Sequence, residues 1–595
     1  MNSIYNAYIP GVIFAVTVIW ALCIKHRSYK RNRIFTPTNV FAVGVFLSCV
    51  AIFIPIYKEA YIDDVVWLGY VKTFFNSVHH AIRLFVVDSD FEIIQNAVSG
   101  KTGFVAYFYT ILSALLFVLA PVTTFGFILS FFKNVSAYKK YLGCFFSDVY
   151  IFSELNSKSV ELANSIYKKY PESRLVFTDV SENNKEVTYE LVERARELDA
   201  ICFKKDVVTL KLRVHWHRKK MLFFAISEDE SKNLKHALNI MKQYGDVKNT
   251  ELYVFASGKD SELALSKEVY RENMKVRRIN PIRFLTYDLL YTMGKEIFDK
   301  AILNDNGEKE ISAVVLGMGE HGVEMLKALS WFCQMDGYFI RLNGFDMNTS
   351  AESSFKVKCP ELMDEKFNNK HVYDDAKYFI KIHSDMRTDT KEFYDKLENL
   401  GDVSYVYVSL GDDKVNIETA INVRAIMKKR GLSPIIHAVV YDSDKNEALR
   451  DAKCMGETDE ETCKIRYVGD LKTLYSERVI LRYELEKLAL ARHMNNMNAK
   501  EVEFWKYEYN YRSSMSSAIH IEIRKKCGMP GADKQLKERS DDEMNVLRVI
   551  EHNRWNAYMR TEGYSKGDKD HVAKKHNLLV PFEDLPPEEK IKDDV

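Results

Sequence analysis

At 595 residues, with 84 Lys and Arg against 83 Asp and Glu, the chain has room for about three to five domains and almost no net charge. That balance excludes a global pull toward nucleic acid or acidic substrates, so no nucleic-acid partner is expected. Nine cysteines without a C-x-x-C pair fit a reducing compartment and argue against a disulfide framework or a structural metal site.

The first 145 residues read as a transmembrane module. Three apolar runs, Tyr8–Ile24, Asn39–Tyr57 and Gly103–Phe132, predict three transmembrane helices. Lys25, Arg27, Lys30, Arg31 and Arg33 follow the first run, and Lys133, Lys139 and Lys140 follow the third, while segment 58–102 is net acidic. The positive-inside rule then puts the N-terminus outside and everything after residue 133 in the cytoplasm. Segment 65–98 has helical apolar spacing but carries Lys72, His79, His80 and Arg83. It reads as an interfacial amphipathic helix or a re-entrant element, with the interfacial form favoured, and the two histidines have no third ligand nearby.

Beyond residue 145, β-type runs alternate with helical patterns in two similar halves. The first half offers Asp148–Phe152, Arg174–Thr178 ending on Asp179, Ile201–Phe203, Met221–Ser227 and Glu251–Ala256. The second offers Ala313–Leu316, Tyr338–Phe345 ending on Asp346, Tyr378–Ile382, Val403–Leu410 and Pro434–Tyr441. Strands alternating with helices at this spacing predict two doubly wound α/β lobes with parallel sheets. In each half the fourth run is followed by an acidic helix start with Asn four residues after the first acid: Asp229, Glu230 and Asn233, then Asp412, Asp413 and Asn416. Capping a helix explains one Asp, but not the recurrence of Asn at one offset.

The second half also carries a glycine turn between its first strand and first helix, Gly317-Met318-Gly319-Glu320-His321-Gly322. Gly317 permits a tight turn, Gly319 lets backbone N–H groups approach a phosphate, and Gly322 lets the helix pack on the strand. The helix N-terminus offers unpaired donors to an anion, and Asp346 is placed to accept from ribose hydroxyls. The alternative is a Rossmann lobe kept for assembly, with an empty pocket. In the first half the equivalent turn, Phe152 to Ser157, has no glycine, and the anionic Glu154 is expected to repel a pyrophosphate.

On these motifs residues 311–445 resemble the nucleotide-binding lobe of the RCK or TrkA-N family, which regulates potassium channels and transporters. Residues 146–290 resemble a degenerate copy, with Asp179, Asp229 and Asn233 as its candidate contacts. The resemblance implies a small nucleotide ligand, NAD(H) or another adenine nucleotide, on Gly317, Gly319, Glu320, His321, Gly322, Asp346, Asp412, Asp413 and Asn416. It also implies a homo-oligomer, since such lobes pair.

Residues 466–535 read as a helical connector between the second lobe, 296–465, and a small helical domain at 536–595; the first lobe spans 146–295. Within the last segment Glu551 to Tyr558, Lys575-His576-Asn577 and Val580-Pro581-Phe582 resemble the ryanodine-receptor repeat, with Arg554, Trp555 and His576 as its ligand or docking surface. The whole layout is similar to bacterial membrane proteins carrying that repeat. It implies an inner-membrane protein that couples a nucleotide, including a nucleotide second messenger, to ion conductance or membrane disruption, with an antiviral role in view. No TVGYG-type filter is present, and no Tyr-x-x-x-Lys pair or other catalytic residue stands beside the glycine turn, so an enzyme is not expected. The alternatives are a membrane-anchored NAD-dependent oxidoreductase and a regulatory subunit of ion transport.

Overall fold

The structure, a computed structural model, describes residues 8–26, 37–88, 91–142, 144, 147–180, 187–212, 220–268, 273–304, 307–364, 378–450, 465–495 and 499–594. Arg27, Lys30, Arg31 and Arg33 lie outside these residues. The chain divides into two compact units, Met1–Tyr141 and Leu142–Val595.

The first unit is helical: α1 Tyr8–His26, α2 Pro37–Ala60, α3 Val66–Phe85, α4 Glu92–Val98 and α5 Phe104–Leu142. Two stretches among the described residues, Phe41–Ala60 in α2 and Phe104–Thr124 in α5, are long and apolar enough to cross a membrane. Three were expected, and the first run is not among these two. The first run does form α1, but its described apolar part, Tyr8–Trp20, is shorter than the roughly 20 residues a bilayer core needs. Within segment 65–98 the expected helical spacing forms α3 and α4, and the packing of α3 follows side-chain size. Gly69, Thr73, Ser77 and Ala81 form a buried small-residue stripe on α3, while Trp67, Tyr70, Phe74 and Phe75 are exposed. Small residues let helices approach closely, and the large apolar ones are left on the outer face.

The second unit contains both lobes. The first has β1 Val149–Phe152, α6 Ser157–Lys169, β2 Arg174–Phe177, α7 Tyr189–Glu197, β3 Ile201–Cys202, β4 Met221–Ala225, α8 Glu230–Tyr244, β5 Thr250–Phe255, α9 Lys259–Glu268 and β6 Met274–Ile279. Its strands are parallel and run in the order β3-β2-β1-β4-β5-β6. Central strands such as β1 and β4 are buried at every position, which is why they read as unbroken apolar runs.

Helix α10, Pro281–Asp299, leads out of this sheet, and β7, Ile302–Leu303, pairs antiparallel with β8. The second lobe follows: β8 Lys309–Leu316, α11 Glu320–Phe332, β9 Tyr338–Phe345, α12 Ala351–Lys358, β10 Tyr378–His383, α13 Lys391–Glu398, β11 Tyr405–Val408, α14 Asp413–Lys429, β12 Ile435–Val439, α15 Ser443–Arg450 and β13 Ile465–Val468. Its parallel order, β10-β9-β8-β11-β12-β13, repeats that of the first lobe. The sixth strand of each sheet, β6 and β13, was not expected from sequence, and Ile465–Val468 falls where a helical connector was foreseen to begin. Arg277 and Arg278 within β6, and Arg466 within β13, break the apolar pattern.

Helix α10 and α11 pack together, and Arg283 of α10 donates to Glu324 of α11 at 2.7 Å. One apolar core runs from Tyr150 and Phe224 through Leu285 and Trp331 to Tyr558. The remaining helices, α16 Leu471–Leu474, α17 Glu477–Ile480, α18 Tyr483–Met494, α19 Glu501–Lys506, α20 Glu508–Lys526 and α21 Asp541–Thr561, close over that core. Ser540 caps α21 in a reciprocal box with Glu543, so this helix begins where its sequence signals a start.

Candidate functional site

The strand order fixes where a site can form. In the second lobe the chain steps outward from β8 to β9 and β10, then crosses back to β11 on the other side of β8. The crevice between the C-terminal ends of β8 and β11 is the point where strand order reverses, and sheets of this kind bind ligands there.

The glycine turn enters that crevice, and each glycine has a separate cause. Gly317 adopts φ +88°, and a Cβ on it would lie 2.3 Å from the Ser409 carbonyl oxygen at the end of β11. A Cβ on Gly322 would lie 1.8 Å from the Gly317 carbonyl oxygen, so helix and turn touch there. Gly319 differs. Its φ of −69° suits any residue, and an added Cβ would meet nothing within 4 Å. It is the N-cap of α11 and carries no side chain to cap the first N–H groups of that helix.

Asp346 follows β9 and flanks the same turn. Its Oδ2 accepts from the Met318 N–H at 2.6 Å, and its Oδ1 accepts from the Asn348 N–H at 2.7 Å. Each carboxylate oxygen therefore retains acceptor capacity. Gly317, Gly319 and Asp346 are thus brought together as the sequence suggested. His321 is buried, and its Nδ1 lies 3.2 Å from the Tyr407 hydroxyl. Burial lowers its pKa to about 4, so the ring is neutral at pH 7. The Glu320 carboxyl is raised, first by desolvation and then by its neighbours Glu324 and Glu230.

The recurrent acid and Asn motif has an architectural cause in both lobes. Asp412 caps α14 by accepting from the Val415 N–H at 3.0 Å, and Asp413 accepts from the Tyr441 and Asp442 N–H groups at 2.8 and 3.0 Å. Asn416, fully buried, donates to the Val439 carbonyl at 2.8 Å and accepts from the Leu410 N–H at 2.6 Å. In the first lobe Asp229 caps α8, and Glu230 accepts from the Ser257 and Gly258 N–H groups. Asn233 donates to the Ser227 and Phe255 carbonyls. The cap, the acid and the amide clamp adjacent strand ends together, which explains why Asn recurs at its offset.

The first lobe's own switch point is filled from within. Glu154, 1% exposed, is ion-paired with Lys232, and Lys232 also donates to Asp179 at 3.4 Å. The carboxylate expected to repel a pyrophosphate therefore has a cation beside it. Burial alone would lower the Lys232 pKa, but Glu154 outweighs that and raises it. Lys232 sits one residue before the Asn233 singled out from sequence; its position in the first turn of α8 is the signal that could have found it.

In the C-terminal segment Arg554, expected at a surface, is 1% exposed. Its guanidinium donates to both Glu551 oxygens at 3.1 and 3.0 Å and to the Ser516 hydroxyl at 2.9 Å. It belongs to a buried cluster in which burial opposes, but Arg554 and Arg524 outweigh it and lower, the Glu551 pKa. Trp555 is half-buried and meets the His576 ring edge-to-face at 5.0 Å. His576 is also buried, its pKa lowered to about 4 by desolvation. The three residues do share the wall of one cavity of about 490 Å³, together with Lys569 and Ser513.

Fold and site together define a multidomain α/β protein with two Rossmann-like parallel lobes and an N-terminal helical unit. No family model matches the chain, and no curated protein matches it. Among solved structures it is similar to a crystal structure of a mutant of GsuK, at 11% identity and a TM-score of 0.31, over 75% of this chain and 98% of that one.

Proposed function

We propose that the chain is a membrane-embedded regulator or effector that senses an adenine nucleotide, NAD(H) or a related second messenger, at the second lobe. The observation that carries this reading is the open space over Gly319. Gly317 and Gly322 are glycines for reasons of packing, whereas Gly319 has no structural need to be one and stands at an uncapped helix N-terminus. Asp346 accepts from the turn's Met318 N–H and has acceptor capacity to spare for a ribose.

The membrane part of the reading is supported by the exposed apolar faces of the first unit. Val12, Val16 and Ile19 of α1, and Ile111, Val118 and Val122 of α5, are all exposed. In this proposal α1 crosses the bilayer as well as α2 and α5, with the N-terminus outside and both lobes in the cytoplasm. Assembly as a dimer or larger homo-oligomer belongs to the same proposal, because few crossings per chain cannot enclose a roomy pore. A ligand that binds one arrangement of the lobes more tightly shifts the equilibrium of the attached helices by its differential affinity. The output, ion conductance or membrane disruption in defence, follows from the resemblance.

The test is mass spectrometry of nucleotides released from the purified full chain, followed by titration calorimetry and ion flux in liposomes. An adenine nucleotide that binds the unmodified protein, fails to bind Gly319→Val and changes flux only in the former supports the proposal. Absence of any nucleotide binding sinks it.

A further inference from the structure

Helix α3 runs down the side of α2 and not across its end. Gly69 stands beside Tyr61, where an added Cβ would meet the Tyr61 carbonyl oxygen at 3.1 Å. Further along, the His80 ring is 5.4 Å from the rings of both Phe53 and Tyr57, and the Phe85 ring is 5.8 Å from that of Phe46. Phe46 precedes Ala60, the end of α2, by about fourteen residues, or about 21 Å of helix, against a bilayer core of about 30 Å. The chain then turns. Phe91, just before α4, meets Phe117 of α5 at 5.0 Å, and Lys101, beyond α4, pairs with Glu59 at 3.9 Å, back near the end of α2. Both feet of the α3–α4 hairpin therefore stand at one end of α2, and its bend stands well along it. An interfacial helix, the form favoured from sequence, would touch only that end.

Three faces run along α3. The small-residue stripe packs inward, and Trp67, Phe74 and Ile82 lie on the exposed apolar side. Between them Lys72, Asn76, His79 and Arg83 recur at spacings of four, three and four, which makes one line along a helix. Lys72 pairs with Asp64 at 2.9 Å and Asn76 donates to the Tyr61 hydroxyl at 2.8 Å, both toward the feet. Arg83 donates to Asp88 at 3.2 Å, at the bend, and His79 between them is exposed. The bend satisfies its own donors: the Val87 and Asp88 N–H groups donate to the Leu84 and Arg83 carbonyls at 3.3 and 2.9 Å. Polar side chains that descend beside a membrane-crossing helix face protein or a water-filled cavity, because acyl chains offer them no partner.

We propose that α3 and α4 form a hairpin that enters the bilayer from the outer side and returns to it, and that the line of Lys72, Asn76, His79 and Arg83 borders a water-filled path completed by a second copy of this chain. The proposal rests on the membrane reading of the first unit. One chain leaves the line open, with the side chains of Arg83 and Asp88 both exposed at the bend, so the path is incomplete without a partner. Asp64 and Asp88 offset Lys72 and Arg83, so the lining carries both signs of charge and not one.

The experiment uses the full chain in liposomes, spin-labelled in turn at Trp67→Cys, Phe74→Cys, His79→Cys, Ile82→Cys and Ile111→Cys, with the parent's own signal subtracted. Accessibility to oxygen and to a nickel chelate reports depth and water. Expected is a preference for oxygen that rises from residue 67 through 74 to 82, with position 82 about 20 Å deeper than 67. Position 79, although between 74 and 82 along the helix, should meet the chelate several-fold more than either. A bifunctional maleimide on Asp88→Cys should join two copies beyond any joining of the parent. Equal depth at 67, 74 and 82 puts α3 on the surface and overturns the hairpin. A depth gradient with position 79 as dry as 82 overturns the water-filled path, and a chain that stays single overturns the second copy. Position 111 on α5 separates the two readings. If it is rich in oxygen while α3 is shallow, the hairpin alone fails; if it is rich in chelate, the membrane reading fails with it.

Discussion

The side-chain amide of Asn416 donates to the Val439 carbonyl at 2.8 Å, tying the helix that follows β11 to the last residue of β12. Its oxygen accepts from the Leu410 N–H at 2.6 Å, so one fully buried side chain satisfies a donor and an acceptor at two strand ends. Asn416→Ala leaves both groups buried and unpaired, at about 1–3 kcal/mol each. A fall of several degrees in the melting temperature of the full chain is expected. A melting temperature equal to the parent's would refute the clamp.

The three glycines of the turn separate folding from binding. Gly322→Ala and Gly317→Ala force a Cβ to within 1.8 Å and 2.3 Å of backbone oxygens, so both variants should lose stability. Gly319→Ala enters open space at an ordinary φ and should melt with the parent, yet lose nucleotide affinity, because the methyl stands where the phosphate approaches. Melting curves and calorimetry on the same three samples check this. Unchanged nucleotide binding in Gly319→Ala would leave the turn as architecture alone.

Much of this architecture was legible in the chain. Strands buried on both faces announce themselves as short apolar runs, and β1, β4, β9 and β11 fall within a few residues of where those runs suggested. The sixth strands escaped because their arginines break the pattern for specific ends: Arg277 of β6 reaches Glu486 of α18 at 2.5 Å, and Arg466 of β13 reaches Glu296 of α10 at 2.7 Å. The juxtaposition of Gly317, Gly319 and Asp346 followed from spacing along a strand–turn–helix–strand unit. The burial of Arg554 did not: Glu551 is its i,i+3 neighbour on α21, but Ser516, and the Arg524 that shares Glu551, come from α20, whose packing on α21 no local pattern encodes.

Acid should destabilise the second lobe through its buried histidines. Burial first, and then Arg466, lower the His437 pKa from 6.5 to about 3. The unfolded chain therefore takes up a proton below pH 6.5 that the folded chain refuses until about pH 3. Stability from this group is complete above pH 6.5 and is lost as pH falls through that window. Between pH 7 and 5 the loss is about 2 kcal/mol. Denaturant melts of His437→Phe should show a correspondingly flatter dependence over that interval. An identical slope in variant and parent would mean that the ring titrates freely.

Membrane topology is open to a direct chemical test. Ser99 and Lys537 are both exposed, one in the first unit and one in the second. With the N-terminus outside and two crossings before residue 99, a cysteine at Ser99 should react with an impermeant maleimide in intact cells. A cysteine at Lys537 should react only after lysis, each scored against the parent protein. The opposite pattern would invert the orientation drawn from the basic residues.

The ion pair between Glu154 and Lys232 makes the first lobe's switch point self-contained, and its removal should be felt as stability. Glu154 is 1% exposed, so Lys232→Met leaves a carboxylate buried without its cation, a change that costs about 3–5 kcal/mol in comparable buried pairs. Lys232 is about one-third exposed and also reaches Asp179, so Glu154→Gln, which keeps the amine near a carboxylate and water, should cost less. The double variant Glu154→Gln with Lys232→Met removes both charges and should recover part of the loss. That non-additivity is the signature of a pair that fills the crevice. If Lys232 instead serves an anionic ligand, Lys232→Met should melt near the parent and lose ADP binding measured on a chain already carrying Gly319→Val. Thermal melts of the four proteins of the cycle, with ADP titration in the Gly319→Val background, decide between a sealed lobe and a second sensor.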